Sequence, residues 1–434
     1  MLSRRAFLRV SGGLGASAFS ARSSDLHALA AQAVAAGGVS PDRVAEDESY
    51  WRPIQQAFDV DRTLINLNNG NSSPSPRLVQ DALKGYLDYS NRLPVYYRGL
   101  IEQNLDAVRG QLAGEFGCDP VELALTRNAT ESLQIAQCGL ELKAGDEVLT
   151  TDQDYSRMLW AWDQRARRDG IRVVRIQFPV PTTAADLLNR FERAMTPRTK
   201  VLQFCHITNV TGQLFPVREL SRLARPRGIV TIVDGAQAVA HVPVNLRDLD
   251  CDVYGTSLHK WLAAPHGTGF RFVRKEAIER IWPLQASLGE LPTDVRKFEE
   301  IGTYPAAARA AIADALAFHR AVGGDRKAAR LRYLTLRWAN ALKANPRVRL
   351  LSSLDEGQTW GLAMAATDGI DSRDLEKFLF DKHRIVTYGM VSQRLPGPVF
   401  DFQGLRVTPN VYTTANEIDR FIEAMEDGLK NGVA

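Results

Sequence analysis

Six short apolar, β-branched runs recur at 123–126, 147–150, 172–176, 200–205, 229–233 and 253–256, and most are separated by stretches with helical spacing. The helical stretches cover 76–91, 100–116, 130–142 and 156–169, and turn residues punctuate the joins. A strand that returns in the same direction after a helix must cross over the sheet, so this alternation predicts an α/β fold with a mainly parallel sheet covered by helices. In such sheets ligands bind at the carboxyl ends of the strands, which makes those ends the places to look for chemistry.

The texture changes after Gly289. Helical patterns over 305–344 lead to strand-like runs near 360–366 and 405–407 and a closing helix over 416–429. At 434 residues the chain exceeds what one hydrophobic core organises, so two domains are expected. The reading divides it into a large domain over 66–290 and a smaller C-terminal α/β domain over 291–434. A polar segment over 31–65 with few core positions reads as an N-terminal arm.

The first thirty residues are of another kind. Ser3-Arg4-Arg5-Ala6-Phe7-Leu8-Arg9 precedes a weakly apolar stretch from Val10 to Phe19 and the small-residue site Ala28-Leu29-Ala30. This order resembles a twin-arginine export signal, which predicts delivery of the folded protein to the periplasm. The apolar stretch is too short for a stable membrane anchor. Four arginines against Asp25 account for most of the formal charge of +4, and no basic stripe with interleaved aromatics follows, so a nucleic-acid partner is not expected. Cys118, Cys138, Cys205 and Cys251 lack metal-ligand spacing, so no metal site is expected, and three of them sit in or beside apolar runs, which favours small buried hydrophobes.

The run ending Ile232-Val233-Asp234-Gly235-Ala236-Gln237 delivers a carboxylate to the lip of the sheet. An unpaired charge there is costly unless it meets a cation such as a protonated pyridine nitrogen, although an Asp capping the next turn is an equal alternative. The next run enters Thr256-Ser257-Leu258-His259-Lys260. A desolvated lysine at a sheet mouth becomes a competent nucleophile and Schiff-base former; a surface lysine is the commoner explanation of the string alone. The combination is what informs, because successive strands of one sheet bring Asp234 and Lys260 to one pocket. In Thr126-Arg127-Asn128-Ala129-Thr130-Glu131, Asn128 can cap a helix with Glu131 completing a capping box, so the amides of Ala129 and Thr130 would face an anion. Ser257 and His259 could donate to the same anion; an ordinary capped helix is the alternative.

With these motifs in this order, the chain resembles the class V aminotransferase family of fold type I pyridoxal-phosphate enzymes, on the branch of isopenicillin N epimerases and cysteine desulfurases. The resemblance spans nearly all of 60–430. It implies a mainly parallel seven-stranded sheet and pyridoxal 5′-phosphate held covalently by Lys260, with Asp234 on its ring nitrogen and Ala129, Thr130, Ser257 and His259 around its phosphate. It also implies that Asn209 and Gln237 contact the ring hydroxyl and that Tyr155 stacks on the ring. In Gly302-Thr303, Thr303 would reach the phosphate of a partner subunit, giving a homodimer with shared sites. Arg406 would clamp a substrate carboxylate, with Asn68 and Tyr96-Tyr97 on the substrate side. Lys260 is then the general base at Cα of an amino-acid moiety. Aminotransferase or epimerase chemistry is the expectation, with a β-eliminating lyase next and a non-catalytic binding module as the remaining alternative. Desulfuration through a persulfide is disfavoured because no cysteine follows Cys251.

Overall fold

The computed structural model describes residues 31–32, 37–287, 292–391, 394–395, 397–398 and 400–433. Seven strands form the main sheet: β1 Leu123–Thr126, β2 Glu147–Thr151, β3 Arg172–Ile176, β4 Thr199–Cys205, β5 Val230–Asp234, β6 Val253–Ser257 and β7 Gly269–Val273. Their spatial order is β1-β7-β6-β5-β4-β2-β3. Neighbours from β6 through β3 run parallel, and β7 is antiparallel to both β6 and β1. The expected runs lie within one residue of β1 to β6.

β7 is the strand that the alternation does not announce. Arg271 interrupts its apolar run, yet that side chain is fully buried and lies over the ring of Phe298, 4.2 Å from its centroid. The 100–116 stretch, expected as one helix, is two, Pro94–Glu102 and Leu105–Phe116. Asn104 ends the first by turning its side-chain amide onto Leu100 O at 2.8 Å. Likewise 305–344 divides into Ala306–Ala310, Ile312–Val322 and Gly324–Lys343, the last break falling at Gly323 with φ +88°.

Period-two burial explains why the central strands are apolar throughout. Phe204, Val233 and Tyr254 point into one core, while Val201, Ile232 and Val253 point into a second core beneath the Ala129–Gly139 helix. Both sheet faces are therefore dry. A second sheet, Val348–Leu350, Ala363–Thr367, Tyr388–Met390 and Gly404–Val407, is antiparallel and packs with the Gly324–Lys343, Ser372–His383 and Ala415–Asn431 helices around its own core.

The segment before residue 65 holds more core than its polarity suggests. It forms helices Pro41–Glu46 and Glu48–Gln56, which bury Val44, Tyr50, Trp51 and Ile54. The fully buried Arg330 fastens them, donating to Ala45 O at 2.7 Å and bonding to Glu48. The Arg4-Arg5 motif and the site at Ala28 to Ala30 lie outside the described residues. Among the described residues, no helix is long and apolar enough to cross a membrane.

Candidate active site

The carboxyl ends of β4, β5 and β6 open onto a cavity of about 310 Å³. Asp234 is the last residue of β5, in register with Cys205 on one side and Gly255 on the other. Its carboxylate is buried and accepts from Ala236 N at 2.9 Å. Burial drives its pKa up to about 6, against the backbone bond and the pull of Lys260. Lys260, three residues beyond β6, lines the same cavity, and burial lowers its amine to about 8, partly opposed by Asp234. The expectation that two successive strands deliver these groups to one pocket is met by the geometry.

The loop carrying Lys260 is tied down from behind. Trp261 donates its indole N–H to Gln237 Oε1 at 2.9 Å and stacks on His241 with ring centroids 3.9 Å apart. Its carbonyl accepts a bond from the buried Lys327, whose amine burial pushes down to about 7. Gln237 donates to Gly70 O at 2.8 Å, which leaves it one amide N–H for a ligand.

On a second wall, Asn128 caps the Ala129–Gly139 helix by accepting from Glu131 N at 2.9 Å. The reciprocal half of the expected capping box is not made, because Glu131 accepts from Arg127 N instead, at 2.6 Å. Nor is the amide of Ala129 free: it donates to Ser257 Oγ at 2.9 Å. The Ser257 hydroxyl proton can still point at a ligand, and the Thr130 amide lies in the first helical turn, where no intrahelical acceptor exists. Thr130, Ser257 and His259 all line the cavity, and the buried His259 Nδ1 has no hydrogen-bond partner. Burial holds His259 near pKa 4, so its ring is neutral and can donate from one nitrogen.

Another wall of the cavity is built around Arg406, on the Gly404–Val407 strand. The guanidinium is buried and donates to Asn209 O and to Asn68 Oδ1, each at 2.8 Å. Its Nε is buried and unpartnered. Asn209 lines the cavity with an unpartnered buried Oδ1, and half-buried Tyr155 lines the side from which the Ser156–Asp169 helix starts. The expected substrate-side contacts of Asn68 and of Tyr96-Tyr97 are placed elsewhere, whereas Thr303 is expected at the partner subunit's phosphate. Asn68 orients Arg406 from behind and does not line the cavity, where Gly70 and Asn71 stand instead. Thr303 is exposed and is not among the lining residues of this chain. Neither Tyr96 nor Tyr97 lines it; they pack edge-on with each other, and Tyr97 packs on Tyr89.

The residues fit a phosphorylated pyridine aldehyde. A buried carboxylate with one backbone bond suits a ring N–H⁺, an amine depressed to about 8 suits covalent attachment, the orphaned Asn209 Oδ1 suits the ring hydroxyl, and a helix start with hydroxyl and imidazole donors suits the phosphate. Metal chemistry has no comparable donor set: among the described residues, no three His, Cys, Asp or Glu side chains could hold an ion together. Fold and site together define a fold type I pyridoxal-phosphate enzyme.

Comparison with known proteins agrees. The family model for aminotransferase class-V matches residues 65–421, and the chain belongs to that family. It is 31% identical over 395 residues to the isopenicillin N epimerase of Streptomyces clavuligerus, covering 87% of this chain and 98% of that protein. It is 30% identical over 402 residues to a probable cysteine desulfurase of Vibrio cholerae, covering 87% and 96%. Among solved structures it resembles the apo cysteine desulfurase of Thermococcus onnurineus, with a TM-score of 0.76 at 22% identity, over 88% of this chain and 98% of that one. A cystine C–S lyase bound to cysteine persulfide matches with a TM-score of 0.75 at 23% identity, over 84% and 98%. At such identities these structures speak for the fold.

Some site residues escape the motifs. Gly70, Asn71, Arg157, Cys205 and Ile207 line the cavity, and Lys327 acts on it from a remote helix. Cys205 could have been found as the residue ending the strand beside Asp234; Arg157 and Lys327 carry no sequence signal that separates them from surface cations.

Proposed function

We propose that this enzyme removes the Cα proton of an amino-acid moiety and that a proton is delivered to the opposite face of Cα, with net epimerisation, transamination being the second reading. The observation that carries it is Lys260: a buried amine held near pKa 8, in one cavity with Asp234 and the carboxylate-binding Arg406. Near-full-length likeness to two isopenicillin N epimerases, each 31% identical, supports the first reading. The class-V aminotransferase family supports the second.

Bound, the cofactor supplies an electron sink for the pair released when a Cα–H bond breaks. Lys260 would hold its aldehyde carbon, Asp234 its ring nitrogen, and Thr130, Ser257 and His259 its phosphate. Asp234 keeps a proton on that nitrogen because a dry carboxylate gains most from a cation beside it. Lys260 Nζ would accept the Cα proton, a role that suits an amine whose burial already lowers its pKa to about 8. Arg406, fixed by Asn68 and Asn209, orients the carboxylate so that this C–H bond faces the base. Tyr155, which lines the cavity, would stack on the ring.

A persulfide route is disfavoured on side-chain grounds. Cys205, which lines the cavity, is buried, and desolvation together with Asp154 and Asp234 holds its thiol protonated. Incubating holoenzyme with amino acids and short peptides in deuterated water separates the readings. Deuterium at an inverted Cα indicates epimerisation, and keto-acid release indicates transamination. Retention of every Cα proton would refute both.

The homodimer and the export route belong to this proposal. Thr303 would complete the site of the partner subunit, and residues 1–30 would direct the folded, loaded enzyme outward. Replacing Arg4 and Arg5 with lysine should then strand the protein in the cytoplasm, read by cell fractionation.

A further inference from the structure

Three cations line the cavity, and Arg157 is the one to which the proposed function gives no role. Asp234 is the only acidic side chain among its described lining residues, which also include Lys260, Arg406 and Arg157. Lys260 and Asp234 serve the cofactor, the Ala129–Gly139 helix start serves its phosphate, and Arg406 serves one carboxylate. Arg157 remains.

Its position is specific. Arg157 is the second residue of the Ser156–Asp169 helix, whose first turn contains no acidic residue. A cation at a helix N-terminus lies at the positive end of the macrodipole, where an anion is favoured and an arginine is not. The guanidinium hydrogen-bonds to the Tyr155 hydroxyl and lies 5.4 Å from the Tyr155 ring centroid and 5.9 Å from that of Trp160. Among the described residues its side chain bonds to the Tyr155 hydroxyl and no acidic residue pairs with it. The helix end and the guanidinium thus form one electropositive corner at the exposed rim, with Arg406 buried deeper in the same cavity. Planar guanidinium donors match a carboxylate in two-point geometry, and the aromatic contacts limit the freedom lost on binding.

We infer that the substrate is an amino acid or peptide-like molecule with a second carboxylate, one held by Arg406 beside the reacting carbon and the other by Arg157 at the rim. This rests on the proposed function for the role of Arg406 and adds the substrate class. Arg157 becomes the residue that separates acidic from neutral side chains.

The test uses holoenzyme and unreactive probes, so that it does not depend on turnover. Succinate, glutarate and adipate are titrated against propionate, butyrate and hexanoate, following the cofactor absorbance. At least one dicarboxylate should bind about tenfold tighter than the monocarboxylates, the size expected of one charge-assisted contact. In Arg157→Gln that advantage should shrink to about threefold or less, while Arg157→Lys keeps part of it. Equal affinity of mono- and dicarboxylates in the wild type overturns the inference. So does an advantage that survives in Arg157→Gln, or loss of the cofactor itself from that variant, which would assign Arg157 to the phosphate. Absence of Cα exchange with every substrate would sink the proposed reaction while leaving this ligand preference as measured.

Discussion

Asp234 at neutral pH is a charge buried at a cost. Its carboxyl has a pKa of about 6 in the folded chain, above the ordinary 3.8. A raised folded pKa contributes stability that is complete below the unfolded value and is lost as pH rises through the folded one, so the loss falls between about pH 4 and 6. Lys260 has the opposite sign: its folded pKa is lowered to about 8, and its contribution is lost as pH falls from above 10.5 through that value. Near pH 7 both penalties are in force in the cofactor-free enzyme. Asp234→Asn should therefore stabilise the cofactor-free protein by about 1–3 kcal/mol at pH 7, and by much less at pH 4, in urea melts. The same variant should lose at least about a thousandfold in turnover, because its neutral amide no longer keeps the ring nitrogen protonated. Such a pairing of gained stability with lost activity marks a group retained for chemistry.

Lys260 and Cys205 give contrasting expectations at the same scale. Lys260→Ala should abolish turnover and borohydride trapping of the cofactor, while absorbance after dialysis reports what the phosphate donors alone retain. Cys205→Ala should leave turnover within about twofold, since a buried protonated thiol is only a small packing group. A large loss with Cys205→Ala would reopen sulfur transfer.

Among elements, the join between β7 and the Ala129–Gly139 helix bears most on the site. A Cβ on Gly269 would come within 2.5 Å of Thr256 O and 2.9 Å of Asn128 Cα. The strand can therefore approach the helix start only with glycine there. Gly269→Ala should cost about 1–3 kcal/mol by overpacking and weaken cofactor binding, because relief pushes the Thr130 amide and Ser257 apart. Asn128→Ala should cost about 1 kcal/mol through the lost cap without that displacement. Equilibrium dialysis of pyridoxal phosphate against the two variants tells displacement from capping.

The element scale also shows what pattern reading can see. Strands buried on both faces announce themselves by mainly apolar runs, which is why β1, β2 and β4 to β6 were legible, while the half-exposed edge strand β3 showed through Val173, Val174 and Ile176. β7 was not, because its central Arg271 is buried against an aromatic ring that only the fold supplies. The break between Pro94–Glu102 and Leu105–Phe116 was hidden for a related reason, as helical periodicity continues across a residue that caps through its own side chain.

For the whole molecule, Arg406 and Asn68 lie at opposite ends of the chain, 338 positions apart, and meet over the sheet mouth. The proposed substrate clamp therefore forms only when the second sheet is docked on the first. Arg330 works in the same way, tying the two N-terminal helices to the long helix and to Thr413 O. Arg330→Met should cost about 1–3 kcal/mol because it leaves the Ala45 and Thr413 carbonyls without their donor, while Glu48 keeps Gln55 and Ala415 N, with the loss visible as a lowered Tm. The proposed dimer predicts a solution mass near twice the 48.1 kDa of the chain, less the leader when that is removed. Light scattering reads it, and Thr303→Ala should weaken cofactor retention in the dimer.

The sequence by itself determined the α/β alternation, the strand ends and the chemical identity of the groups placed there: Asp234, Lys260, the Asn128 cap and Arg406. Those are local consequences of periodicity and of where a charge can stand on an apolar strand. Tertiary structure alone decided which amides are spent, with Ala129 bonded to Ser257 and Glu131 turned to Arg127, and which remote groups matter, as with Asn68 behind Arg406, Lys327 beneath Trp261 and Arg157 at the rim. Hydrogen-bond partners and desolvation depend on what lies within a few ångströms, and for residues far apart in the chain that distance is fixed only when the sheets pack.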